Sequence, residues 1–436
     1  MSVTPVVSNV IVTPTTDGTL VEFSVALTVP PPPAPEPPPV SRFPPSTTLA
    51  YVAPNSDPMP GHLTPSTDSS FGTEVTRVSG IANQRHRYSS KAVWNADESL
   101  MLLDYPPPGA ASARAILDGG TYAVLHAAND TMGYFTWCNT VANKNVAWAY
   151  SGLTIRRLAV TAAGITLTSS TTLKALSGTY TAISLGGGQG SISDDDRYLA
   201  FMYKKGTTEH GIGVIDVSGP TPTVIAERFV YTSTASIGSS IVNNVGMSAT
   251  GAYVVAGMGV AGTGAHLGTH IYPRTLTSDR QVTTASVHWD AGRLGDGTTD
   301  VLVICSQKAG GGGPGSQLGR YRMSDGAYTT LIPNWPGGHI STRNTGRPGW
   351  CYPSTYTAID GGTTYPGLGT VFALNMDDPS EVQMFADVHG RTKADIAFDG
   401  YTTQPHACPS PSGERVVYAT RHGGSVVYPF VARAKA

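Results

Sequence analysis

Apolar residues fall in short runs cut by polar turns along this chain, and near its start they alternate with polar ones at a period of two. Val21, Phe23, Val25, Leu27 and Val29 interleave with Glu22, Ser24, Ala26 and Thr28, the pattern of a strand with one face to bury. Val6 to Val12 can pair with it across Asp17-Gly18, a hairpin turn signal. Downstream, a strand–turn–strand sentence recurs. Gln404 to Thr420 runs into a polar turn at Ser410–Glu414 and out through the apolar Arg415–Thr420. The same pattern holds for Tyr88–Leu103 (turn at Asn95–Ser99), Gly190–Tyr203 (Ser193–Arg197), Val242–Ala256 (Ser248–Gly251) and Val287–Ile304 (Gly295–Gly297). Ser193 and Ser248 are 55 positions apart, and Ser248 and Ser410 are 162, or three steps of 54. A repeat of about 50 residues with several short strands is the mark of a propeller blade.

Second strand pairs follow in several units. Gly211–Val217 precedes Val224–Phe229, Gly319–Met323 precedes Tyr328–Ile332, and Thr370–Leu374 precedes Val382–Phe385. Four strands per unit and about seven units between 80 and 436 predict an all-β, seven-bladed β-propeller. The last unit is one strand short, and Thr73–Val78 is the segment that can complete it and close the ring. The expected organisation is an N-terminal β-hairpin anchor at 1–29, a proline-rich linker at 30–46 and the propeller at 47–436. Pro30–Pro39 reads as a stiff polyproline II rod.

Composition narrows the function. The chain has 436 residues, 13% of them charged, and a net charge of -2. No basic stripe is present, so nucleic acid is not an expected partner. Gly 50 and Pro 33 suit many turns. The start, Met-Ser-Val-Thr-Pro, lacks a secretory signal pattern, and no apolar run is long enough for a membrane span. Cys138, Cys305, Cys351 and Cys408 form no CxxC pair and read as buried thiols.

Chemistry is expected where innermost strands begin, because those starts converge on one face of a propeller. His288, His339 and His406 begin the strand pairs of three successive units. Gln404 lies one strand period before His406. Three imidazoles and an amide suit a divalent metal such as zinc or manganese, while each histidine alone can equally be a hydrogen-bonded funnel residue. Arg343 and Arg347 can grip a substrate carboxylate in a catalytic role, and Trp350 can stack on a sugar, or this stretch is a salt-bridged loop with Trp350 in the core. Arg85 and Tyr88 belong to a second polar cluster, Arg85-His86-Arg87-Tyr88, a further candidate for binding substrate. His210, His266 and His270 are looser base candidates. Gly310–Gly313 lacks the Lys and Ser/Thr of a phosphate loop.

The units resemble bacterial seven-bladed propellers related to oligogalacturonate and ulvan lyases. The resemblance rests on Tyr88-Ser89-Ser90-Lys91 with Trp94-Asn95-Ala96-Asp97, on Ser191–Leu199, and on Met247–Gly251 with Tyr253-Val254-Val255. It rests further on Gly338-His339-Ile340-Ser341 with Arg343-Asn344 and Arg347-Pro348-Gly349-Trp350, and on Pro405-His406 with Pro409–Gly413. It covers about 88 to 420. It implies an acidic polysaccharide as ligand and a histidine-held metal supporting β-elimination, with His288, His339, His406 and Gln404 at the ligand positions and no residue assigned as base.

Two functions follow. The first is a glycan-directed propeller displayed on a larger assembly. An anchor, rod and payload layout fits a phage virion appendage, a head or tail fibre or decoration protein that binds polysaccharide and docks on other virion proteins through residues 1–29. Its location would be the virion, or outside the cell after release without a signal peptide. The alternative is an active metal-dependent polysaccharide lyase acting on uronate-containing glycans.

Overall fold

The structure is a computed structural model that describes residues 42–103, 113–129, 135–186, 192–237, 242–259, 267–284, 287–306, 316–355, 364–389 and 403–435. The expected hairpin at 1–29 and rod at 30–39 lie outside them. Seven antiparallel sheets follow one another, as the repeat predicts. Blade 1 holds Leu100–Leu103, Ala113–Asp118 and Val124–Asn129, with Trp94 bridged to Met101 on its inner side. Blade 2 runs from Phe135–Trp137 to Gly164–Thr172, and blade 3 from Tyr180–Ser184 to Thr223–Thr232. Blade 4 runs from Val242–Met247 to Arg280–Thr283, and blade 5 from Trp289–Arg293 to Tyr328–Ile332. Blade 6 runs from Gly338–Ser341 to Val382–Asp387 and takes Ser46–Thr47 as an extra edge strand. Blade 7 begins at Cys408–Pro409. No helix among the described residues is long and apolar enough to cross a membrane.

Each blade buries both faces against its neighbours, which is why its strands read as near-continuous apolar runs at their centres. Seven apolar clusters fill the seams. In the last of them, Trp94, Met101 and Leu117 of blade 1 pack with Cys408, Val417 and Val431 of blade 7. The ring is therefore closed. The closing strand is the expected one: Glu74–Arg77 pairs antiparallel with Tyr428–Arg433, setting Val75 opposite Ala432 and Thr76 opposite Val431. Val75 is buried among Tyr418, Phe430 and Phe385. Val75→Ala is expected to cost about 2 kcal/mol, measured as a lower urea midpoint with an unchanged slope. A variant as stable as wild type would show that the closing strand adds nothing to the ring.

The turns that end the innermost strands carry a second device. A carboxylate of one blade accepts backbone N–H groups from the blade before it. Asp196 takes Asn139 N at 2.5 Å and Thr140 N at 3.1 Å, and Asp300 takes Thr250 N at 3.0 Å. Asp377 takes Gly295 N and Glu98 takes Ser412 N, both at 2.6 Å. These charge-assisted bonds pair turn donors of one blade with the next and fix blade-to-blade register.

Candidate functional site

The starts of three successive innermost strands deliver three imidazoles to one place. His288 directly precedes Trp289–Arg293, His339 is the second residue of Gly338–Ser341, and His406 lies two residues before Cys408–Pro409. Ring centroids are 4.5 Å apart for His288 and His339, and 4.0 Å for His339 and His406. The Nδ1 atoms of His288 and His339 are 2.9 Å apart. His339 and His406 are fully buried, and His288 is half-buried.

The stretch before blade 1, next round the ring, adds a fourth wall. The Tyr88 hydroxyl lies 2.7 Å from His288 Nδ1, and its ring centroid is 5.0 Å from His339 and 4.9 Å from His406. His86 Nε2 donates to the His406 carbonyl at 2.6 Å. Arg85 is fully buried, and its charge is felt at His406. In the sequence His86 stands out only as part of the Arg85–Tyr88 cluster. The signal that could have singled it out is ring closure, which sets the residues before blade 1 beside blade 7.

His406 has φ 48°, a left-handed conformation that side chains other than glycine enter at a cost of order 1–3 kcal/mol. Gln404 meets the far edge of His339, its Oε1 bonded to Nε2. An amide oxygen only accepts, so His339 donates there and is the Nε2–H tautomer. Its Nδ1 then accepts, and faces His288 Nδ1 at 2.9 Å. Gln404 thus sits beyond the imidazole, on the opposite ring nitrogen from the one facing His288.

Burial drives His288 down to about 4. His406 lies well below the usual imidazole range through burial, and then through the charges of His339, Arg85, His86 and His288. Both rings are therefore neutral at pH 7, the form that ligates metals. The donor types fit a divalent ion. The spacing is that of a hydrogen-bonded pair, since two nitrogens sharing a tetrahedral zinc at ~2.1 Å stand about 3.4 Å apart. Among the described residues no group of three or more His, Cys, Asp or Glu side chains is arranged to hold a metal ion.

The His288 shift has a pH consequence. Unfolded, this imidazole titrates near 6.5; folded, near 4. Between those values the unfolded chain binds more protons, so stability is full above pH 6.5, declines as pH falls and has lost this contribution below 4. The loss is roughly 2–3 kcal/mol for a half-buried ring. Urea midpoints at pH 7.5 and 4.5, without added divalent ion, should converge in His288→Asn relative to wild type. An unchanged difference would overturn the assignment.

The remaining candidates stand elsewhere. Arg343 is four residues past His339 along the same strand direction, about 13 Å at ~3.3 Å per residue. It is buried on Asp290, with Nε 3.1 Å from Oδ2 and Nη2 3.0 Å from Oδ1. Arg347 is held between Phe43 and Trp350, 3.8 Å from each ring centroid, and donates to Gln383 and Tyr352. Arg347 borders a cavity of about 700 Å³ among the turns of the other face, with Glu98, Asp194, Arg293 and Ser412. Both arginines lie past the end of Gly338–Ser341, and their side chains are engaged by Asp290 and by Phe43, Trp350, Gln383 and Tyr352. Trp350 stays with them, half-buried. His210 bonds the Ser233 carbonyl at 3.1 Å and His270 bonds Asp279 at 2.9 Å, both on other blades. His266 lies outside the described residues.

No protein-family model matches the sequence, and no curated protein matches it. Solved structures do. One, described as oligogalacturonate lyase in complex with manganese, is 13% identical with a TM-score of 0.55, over 89% of this chain and 98% of that one. Another, an oligogalacturonate lyase from Vibrio parahaemolyticus, is 12% identical with a TM-score of 0.56, over 90% of this chain and 98% of that one. At such identities the likeness is one of fold: this chain is a seven-bladed β-propeller of the architecture those lyases share.

Proposed function

We propose that this protein is a glycan-directed propeller whose imidazole mouth takes an acidic polysaccharide and cleaves it beside a uronate by metal-assisted β-elimination. The observation that carries the reading is the meeting of His288, His339, His406 and Tyr88 from four successive blade positions, with ring centroids 4.0–6.2 Å apart. His288, His339 through Nδ1, and His406 would hold the ion, zinc or manganese. Gln404 would fix the His339 tautomer, as an outer partner of a metal-bound imidazole does. A bound ion would neutralise the uronate carboxylate and acidify the adjacent C–H. Arg85 adds a buried positive charge that draws an anionic sugar inward, and the Tyr88 hydroxyl sets an exchangeable proton 2.7 Å from His288 Nδ1. The manganese-bound lyase of similar fold supports this reading.

The test is incubation with a panel of uronate-containing glycans and added manganese or zinc, following the absorbance of the unsaturated product. No product across the panel, with the protein folded, would overturn the catalytic part and leave binding to be measured directly.

The sequence layout supports a second element, display on a larger assembly such as a phage virion through residues 1–29. Strand alternation at 21–29 followed by a proline rod is the observation behind it. Deleting residues 1–40 should leave a folded propeller that no longer attaches. Attachment that survives the deletion would remove this element.

A further inference from the structure

We propose that the cleft between blades 2 and 3 is a second ligand site, formed around Arg157 and fitted to a single carboxylated sugar unit. The ligand class extends the acidic-glycan reading, but the site stands on its own residues. The cleft has a volume of about 520 Å³, within the range of small-molecule sites. Its floor is the buried Trp148 and Cys138.

Two observations point to a ligand. The first is Arg157. It shares a strand face with Ile155, which packs in the seam toward blade 3, so it occupies a position that apolar side chains fill elsewhere. A half-buried guanidinium is normally paired. Among the described residues Arg157 makes no side-chain hydrogen bond or ion pair. The two acids of the cleft are engaged locally. Asp196 is taken up by Asn139, Thr140 and Asn143. Asp195 Oδ1 accepts from Ser193 Oγ at 2.5 Å and Arg197 N at 3.1 Å.

The second is a β-bulge. The register between Thr154–Thr161 and Gly164–Thr172 shifts between Leu167 and Ser169. Consecutive residues of a regular strand face opposite ways. Here Thr168 and Ser169 both line the cleft, as a bulge allows by re-aiming a side chain.

The chemistry selects the ligand. One planar guanidinium fork suits one carboxylate bidentately. The second oxygen of Asp195 and the Ser169 hydroxyl suit sugar hydroxyls, which both donate and accept. A phosphate dianion would bring twice the negative charge of a carboxylate against Asp195 and Asp196, with one cation to offset it.

The test titrates a monomeric hexuronate, galacturonate, into the full-length protein by calorimetry, in wild type, His339→Ala and Arg157→Gln. Thermal unfolding of each variant establishes that it is folded. Binding in wild type and His339→Ala, weakened tenfold or more in Arg157→Gln, supports the site. Galactose and inorganic phosphate should each bind at least tenfold more weakly than galacturonate. Unchanged affinity in Arg157→Gln, equal affinity for galactose or phosphate, or no hexuronate binding to wild type at millimolar concentration would overturn it. Binding lost in His339→Ala but kept in Arg157→Gln would overturn this site while favouring the imidazole mouth.

Discussion

Replacing His339 by alanine is expected to lower unsaturated-product release by about 10²–10⁴-fold, the range for removing one essential polar group from a preorganised site. His339 is the hub of the mouth. Its Nδ1 faces His288 at 2.9 Å, its Nε2 holds Gln404, and its face stacks on His406 at 4.0 Å. The alanine variant takes this partner from a half-buried amide and an imidazole, so stability should also fall by about 1–3 kcal/mol. That loss is small enough to leave the ring folded at 25 °C, which near-ultraviolet circular dichroism checks. Gln404→Leu separates the roles. If Gln404 orients the tautomer, its loss should cost about 10–100-fold in metal affinity and activity, less than the loss of His339. Wild-type product release from His339→Ala would remove the mouth from the chemistry altogether.

Much of this mouth is legible in the amino-acid sequence, for a physical reason. Blades repeat, so a residue type at the same step of three units lies at the same height in three sheets. His288, His339 and His406 meet on that logic alone. The closing strand at Glu74–Arg77 is legible too, since an unfinished last blade needs an edge partner. What alternation does not carry is the backbone of His406. Its φ of 48° breaks the period-two rule that would set Gln404 and His406 side by side. Gln404 instead reaches the far edge of His339. For Arg343 the sequence leaves two readings, a grip on a substrate carboxylate or a salt-bridged loop, and its pair with Asp290 is the second. Tyr88 and His86 come from a segment with no strand periodicity, and only ring closure sets them against blade 7.

Asp290→Ala should be the most destabilising single change near the mouth, costing about 3–5 kcal/mol, because it leaves Arg343 charged and buried without its partner. Asp290 is fully buried and accepts from Arg343 twice, from Thr342 N at 2.8 Å and from Ala291 N at 2.9 Å. Burial pushes its carboxyl up while the Arg343 charge pulls it back down. Arg343 also donates to the Ala291 carbonyl at 2.7 Å. The pair therefore ties the innermost strands of blades 5 and 6 together, two residues after His288 and four after His339. Replacing both partners by apolar residues of similar volume, Asp290→Leu with Arg343→Met, should recover much of the loss, because a buried ion pair is worth little more than a well-packed apolar contact. Urea unfolding of the single and double variants measures this. Product release measured on the same proteins tells apart the two roles open to Arg343. A positioning role predicts that the double variant regains most of its activity along with its stability. A stable double variant with activity still down by 10²-fold or more would return Arg343 to the substrate carboxylate, where the sequence first put it.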